Sequence, residues 1–500
     1  MSTSKNQAQD DGDSEPELLA EDDALEEFED GDADVAMDSD NDEEATLVND
    51  SIAYFDAHKD SVFAIAQHPV IPSLIATGGS EGDADDAPGK GYIFDTSAAE
   101  ARPLLPASYS SDPSAASRQN PQLSPLFAID GHSDSINTLT FTLPTGDYLV
   151  TGGLDGRVRA YAVSASPGSP PQFRFVAESQ EVPEVNWLAS CPSPSHPNTV
   201  ALGASDGSVW VYTLEGSELQ ITQSYFLHTA ASTAGTWTPD GNLLATVSED
   251  ASLYVWDVWG VAAGKGLATD NGMTVLSLTA ADARFAVDGG LFSVAVSPTG
   301  AVLAAGGAGG AVKIVSLPRL SATTAPTQKQ AQKGGRAKAA EATTQAGVVL
   351  ASLQVQSDGV ETLAFGPTAA TPLLATGSVD GSVAVFDTSR SFALRRHLVA
   401  AHDGEAVVRV EWVRSPSGAG QSQWLLTSAG MDGVVRRWDL RGATATPHAA
   451  GAAAAAGLVK EWRGHRGGGE GGGVLGFVQG ETGERLVTAG DDGLVLVFEA

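Results

Sequence analysis

The stretch TVSEDASLYVW, residues 246–256, decides the fold. An apolar strand runs into the small-residue turn Ser248-Glu249-Asp250-Ala251. A second apolar strand leaves the turn and closes on Trp256, six residues after Asp250. The same arrangement returns in TGGLDGRVRAY ending at Tyr161, LGASDGSVWVY at Tyr212, TGSVDGSVAVF at Phe386, SAGMDGVVRRW at Trp438 and TAGDDGLVLVF at Phe498. Two weaker copies complete the set. TGGSEGDADDAPGKGYIF ends at Phe94 with an enlarged turn, and AGGAGGAVKIV ends at Val315 without the Asp or the aromatic. Upstream of most copies stands a histidine followed by another strand: His58, His132, His228, His402 and His465. The strands are short, rich in β-branched and aromatic residues, and bounded by Asp-Gly or Gly-Gly turns, which is the pattern of antiparallel hairpins.

A unit of about 40–45 residues with Gly-His early and Trp-Asp late resembles the blade of a WD-repeat propeller. Trp256-Asp257 and Trp438-Asp439 keep that ending, and Phe94-Asp95 and Phe386-Asp387 keep it with Phe. The expected fold is therefore all-β, a single eight-bladed WD-repeat β-propeller over residues 46–500. Residues 1–45 are expected to form a disordered acidic tail. The orphan apolar segment Ser51–Phe55 is expected to supply the outer strand of the blade ending near Phe498, which ties the ring shut and removes an exposed edge. Three stretches read as loop insertions: about 98–126, 319–346 and 443–457. The second carries Lys329, Lys333, Arg336 and Lys338. It reads as a solvated loop, with a localisation signal or an rRNA contact as alternatives.

Charge narrows the partners. The net charge is −35, and 19 of the 63 acidic residues lie between Asp10 and Glu44, where almost no apolar surface is available to bury. The remainder is acidic as well. Direct binding to nucleic acid or to an anionic membrane would work against this field, whereas a basic protein would be drawn to it. One cysteine, Cys191, fits a reducing compartment. The first residues lack the basic start and apolar run of a signal peptide, and no window approaches the ~20 apolar residues of a membrane span. The chain reads as a monomeric intracellular protein, cytoplasmic, with the nucleus as an alternative.

In propellers that the repeats resemble, the recurring His, Thr/Ser, Asp and aromatic form a buried hydrogen-bonded chain in each blade. The full sets here are His228, Thr246, Asp250 and Trp256, and His402, Ser428, Asp432 and Trp438. A His, Ser and Asp together suggest a catalytic triad, but their recurrence at a spacing that the fold requires makes them structural. No catalytic, metal or cofactor site is expected, and the protein reads as a non-enzyme.

The same resemblance implies that the loops leading into each blade's first strand, and the turns between its second and third, surround one opening of the central channel. The acidic residues at those positions are Glu184, Glu249, Glu361, Glu405 and Asp491, with Glu81, Asp83, Asp85 and Asp86 in the enlarged first-blade turn. Few basic residues occupy equivalent positions, although Arg409 is nearby. An acidic tail, then a first blade reading DAHKDSVFAIAQHP, TGGSEG and GYIFDTS, then eight blades, resembles the family of the angio-associated migratory cell protein. Its fungal members are WD-repeat chaperones dedicated to one large-subunit ribosomal protein, universal L sixteen. That resemblance implies capture of the partner's basic N-terminal segment on the acidic opening, for 60S assembly. Two other classes stay open: a scaffold or adaptor in signalling or ubiquitin ligation, and a nuclear chaperone for other basic proteins such as histones.

Overall fold

The computed structural model describes residues 49–82, 87–99, 121–164, 170–269, 272–320, 346–368, 370–414, 424–441, 457–467, 472–480 and 482–500. It contains eight sheets of four antiparallel strands. The innermost strands are Ala64–Gln67, Ile136–Phe141, Val185–Ser190, Ser232–Trp237, Leu291–Val296, Val360–Phe365, Val407–Trp412 and Val474–Val478, and they number the blades 1 to 8. Each inner strand lies against that of the next blade, and the eighth lies against the first, so the inner strands enclose a channel. In seven blades the four strands follow in chain order. In blade 8 the outer place is taken by Ala53–Phe55, which pairs antiparallel with Val495–Glu499, Ala53 opposite Val497.

Small residues in the repeat mark where blades meet. A Cβ at Gly78, Gly152 or Gly377 would come within 2.6 Å of a side-chain carbon of Ile136, Val185 or Val407, the apolar residue that opens the next blade's inner strand. In these three blades the Gly of Thr-Gly before the turn therefore sets the depth to which the next blade can seat. Blade 5, whose repeat lacks the histidine, the Asp and the aromatic, still has four strands. Val287 stands where other blades place a His. It belongs to a cluster of seventeen buried apolar residues, among them Phe285, Leu291 and Leu303, shared with blade 4. Apolar burial replaces the polar chain there.

The structure shortens one expected loop. The stretch 98–126 does not run free to its end. Leu123 is buried in the blade 8/blade 1 core, and Pro125 begins the outer strand of blade 1, Pro125–Ile129. Residues 121–123 also run beside the closing strand. Tyr54 N donates to Pro121 O at 3.2 Å, Leu123 N donates to Tyr54 O at 2.8 Å, and Tyr54 and Gln122 form a parallel bridge. Of the other two expected insertions, residues 321–345 and 442–456 lie outside the described residues, as does the tail.

Candidate functional site

One hydrogen bond recurs in all eight blades and defines a face of the ring. The residue that begins the turn between second and third strands donates its N–H to the carbonyl just ahead of the inner strand. The pairs are Ser80 to Ser61, Leu154 to Ser135, Ser205 to Glu184, Glu249 to Ala231, Ala308 to Gly290, Val379 to Gly359, Met431 to Ala406 and Asp491 to Gly473, at 2.9–3.3 Å. Turn and incoming loop are thereby tied together at one end of every blade.

The acidic residues singled out in the sequence fall on this end with different fates. Glu184, Glu249, Glu361 and Glu405 are exposed. Glu81 is not available in the same way: it is partly buried and forms an ion pair with Lys59 at 2.5 Å. Asp491 is partly buried and accepts a hydrogen bond from the Ser61 hydroxyl at 2.5 Å. Asp83, Asp85 and Asp86 lie outside the described residues. Sequence reading missed further carboxylates on the same end: Asp60, Asp134, Asp288, Asp358 and Asp403. Three of them share a detectable signal, an Asp two residues after the blade's His or its Gln replacement: His58-Lys59-Asp60, His132-Ser133-Asp134 and Gln356-Ser357-Asp358. Asp134 and Asp358 accept from the backbone N–H of the following residue, which aligns the loop as it turns into the strand. The bases at this end include Lys59, paired with Glu81, Arg157, paired with Asp155 and Glu178, and the exposed Arg466. Arg409 lies on the channel wall with its guanidinium 3.4 Å from Glu411 and over the Phe477 ring.

Glu361 differs from the rest in its electrostatics. Although the residue is exposed overall, the wall around its carboxyl desolvates that group, and this, followed by the negative charge of Asp358, raises it above the ordinary glutamate range. A cation placed beside it would relieve both effects.

Behind this end lie the blade networks. In blade 7, His402 Nδ1 is 2.9 Å from Asp432 Oδ1 and Nε2 is 2.8 Å from Ser428 Oγ, which also accepts from Trp438 Nε1 at 2.8 Å. Arg436 joins Asp432, Asp403 and Glu461 to this cluster. In blade 4 the chain His228–Thr246–Trp256 is present, with both bonds at 2.8 Å. Asp250, however, does not bond to the histidine: His228 Nδ1 is 3.9 Å from it and instead meets Ser252 Oγ at 2.6 Å. The cause is the serine two residues after the turn Asp, which blade 7 replaces with Val434. Asp250 turns to Thr229 and Ser252 backbone N–H groups instead. Burial alone would raise its carboxyl, but hydrogen bonding from the Ser252 side chain first, then from these backbone groups and the Thr229 hydroxyl, outweighs it and holds the value down to about 2. Blades 2 and 8 also carry His–Thr–Asp contacts, at His132, Thr151 and Asp155 and at His465, Thr488 and Asp492. Among the described residues no group of three or more His, Cys, Asp or Glu is placed to hold a metal ion.

An eight-bladed ring with these networks and an acid-rimmed opening defines a WD-repeat propeller of the protein-binding class. The WD domain, G-beta repeat family matches residues 123–161, 220–257 and 347–387. The solved structure of Sqt1 from Chaetomium thermophilum is 64% identical over 91% of this chain and 98% of that one, with a TM-score of 0.78. The chain belongs to the Sqt1 family of WD-repeat proteins. A second structure of the Chaetomium protein, bound to the N-terminus of the ribosomal protein L10, is 63% identical over 91% of this chain and all of that one, with a TM-score of 0.76. Ribosome assembly protein SQT1 of Saccharomyces cerevisiae is 30% identical over 221 residues, 43% of this chain and 43% of that protein, so the match spans less than half of the yeast relative's length. The angio-associated migratory cell protein of Canis lupus familiaris is 23% identical over 401 residues, 79% of this chain and 71% of that protein.

Proposed function

We propose that this protein is a dedicated chaperone for a large-subunit ribosomal protein. It captures that protein's basic N-terminal segment on the acidic end of the ring and escorts it to 60S assembly. The chain acts by binding, not by catalysis, in the cytoplasm and, with its cargo, in the nucleus. The observation that carries this reading is the convergence of Glu184, Glu249, Glu361 and Glu405, from four blades, on the end where every turn is bonded to its incoming loop. Support comes from the Chaetomium relative, whose structure holds the N-terminus of ribosomal protein L10. A segment rich in Lys and Arg is the ligand that such a ring would attract and shield from premature contact with RNA.

The test is titration of the full chain with a synthetic peptide of the ribosomal protein's N-terminus. Exposed ion pairs contribute only about 0.2–1 kcal/mol each, so single substitutions should act weakly. The combined change Glu184→Lys, Glu249→Lys and Glu361→Lys replaces attraction by repulsion across the opening. It should weaken binding by well over tenfold (more than about 1.4 kcal/mol) while leaving the melting temperature unchanged. Unchanged affinity in the folded triple variant would move the binding site away from this end.

A further inference from the structure

The inner strands carry a second feature at the same opening. In blades 2 to 8 the register of inner and second strands slips by one residue at the first turn of the inner strand, leaving one bulged residue per blade. These residues are Asn137, Asn186, Thr233, Phe292, Glu361, Val408 and Leu475. Phe63, immediately ahead of the blade 1 inner strand, stands at the matching place. A bulge re-aims the extra side chain away from the ladder, and blades 2 to 8 each carry one at the mouth of the channel.

The eight positions divide into two arcs. In blades 2 to 4 the side chains are used up within the wall: Asn137 donates to the Val185 and Asn186 carbonyls, Asn186 to Ser232 O at 3.0 Å, and Thr233 to Leu291 O at 2.7 Å. From blade 5 round to blade 1 they are Phe292, Glu361, Val408, Leu475 and Phe63, four apolar groups and one acid. Phe63 is 39% exposed, and the other three apolar groups are half-buried. The Phe292 ring stands beside the Glu361 carboxylate: a Cβ built on Gly359 would lie 3.1 Å from Glu361 Oε1 and 3.5 Å from the ring. Below the mouth, Val408 also lines a cavity of about 1000 Å³ in the channel. An apolar arc at the opening of a channel, ringed by carboxylates, fits a segment that is not uniformly cationic.

We propose that this arc is an anchor site for one aromatic or branched aliphatic side chain of the bound basic segment, with Glu361 taking the Lys or Arg next to it. The rim carboxylates then supply attraction, and the arc supplies register, because a charge field alone accepts a basic segment in any frame. This assignment rests on the reading that the acidic end binds a basic segment, and it adds which residue type that segment must contain.

The experiment uses the full chain and two peptides. One is the N-terminal segment of the ribosomal protein. The other keeps every Lys and Arg but has each aromatic and branched aliphatic residue replaced by Ala. Affinities are measured for the wild type and for Phe63→Ala with Phe292→Ala, at about 0.15 M salt and at several-fold more, where screening shortens the reach of exposed charges. Losing the anchor should cost the natural peptide about tenfold at both salts, since apolar burial is not screened. The slope of affinity against salt should stay the same, and the Ala-substituted peptide should bind both proteins equally weakly. Melting curves report whether the double variant is folded; if it is not, the two peptides on wild type decide. Equal binding of the two peptides by wild type, with the Lys triple variant still losing both, overturns the anchor and leaves the acidic end as the binding site. Failure of wild type to bind either peptide overturns both.

Discussion

Ser252 and Val434 occupy the same place in two blades and change what the turn Asp does. Where valine stands, Asp432 bonds directly to His402 and to the buried guanidinium of Arg436. Where serine stands, its hydroxyl takes the histidine and Asp250 serves the backbone. Asp432→Ala should therefore destabilise the protein by about 3 kcal/mol or more, because it leaves Arg436 short of a buried partner. Asp250→Ala should cost closer to about 1 kcal/mol. Equal shifts in chemical denaturation midpoint for the two would refute the distinction. The histidines make a second prediction. Burial lowers His58 to about 4, and burial, opposed only by Asp250, lowers His228 to about 4. Unfolded, each ring takes its proton near 6.5; folded, only near 4. The stability contributed by burying the neutral rings is thus complete above pH 6.5 and is lost as the pH falls towards 4, by roughly 3 kcal/mol per ring. Thermal melts at pH 7 and pH 4.5 check this, and a melting temperature flat across that interval would contradict it.

At the scale of strands and turns, most of the ring was legible because the repeat writes its own punctuation. An apolar run, a small-residue turn with Asp and an aromatic six residues on recur with little ambiguity of period. Ser51–Phe55 stood out as an apolar run with no partner nearby in sequence, and its place against Val495–Glu499 is set by the ring rather than by local propensity. Two things could not be read. The return of residues 121–123 to the closing strand leaves no periodic trace, since it rests on two backbone hydrogen bonds and one buried leucine. The bulged position is equally silent: Asn137 and Phe292 share it, and only pairing register reveals that they do. The acidic positions were half legible for a similar reason, because charge is visible in sequence but pairing, as in Lys59 with Glu81, is not. Removing residues 1–48 should leave the melting temperature within a degree or two. Removing 1–56 strips the closing strand and exposes the edge of Val495–Glu499, so that protein should aggregate or melt far lower. A monomeric, equally stable 1–56 deletion would mean that the ring closes another way.

Across the whole ring, charge and pH become one question. Glu361 is held above the usual glutamate range by its surroundings, so a cation bound beside it must draw the proton off as the pH falls. The sign follows from linkage: binding favours the ionised carboxylate, so affinity declines as the pH drops through its raised value. That decline should begin at a higher pH than for an ordinary glutamate. Glu361→Gln should remove this upper part of the pH profile while preserving the fall in affinity with salt, which belongs to the rim as a group. Titrations between pH 5 and 7.5 at fixed ionic strength distinguish the two. A pH profile identical in the Gln variant would remove Glu361 from the interface.

The closing strand also has a history in time. Ala53 is made early, and its partner Val497 more than four hundred residues later. At about 5–20 residues per second, a ribosome needs tens of seconds to cover that distance. Throughout the interval Ala53–Phe55 would offer a bare β-edge on a growing chain. Residues 121–123 follow within roughly 3–14 seconds at that rate and pair with Tyr54 on the side that Val495–Glu499 does not use. The strand that must wait longest for its sheet partner thus has a neighbour within its own first blades, and it keeps that neighbour in the finished ring.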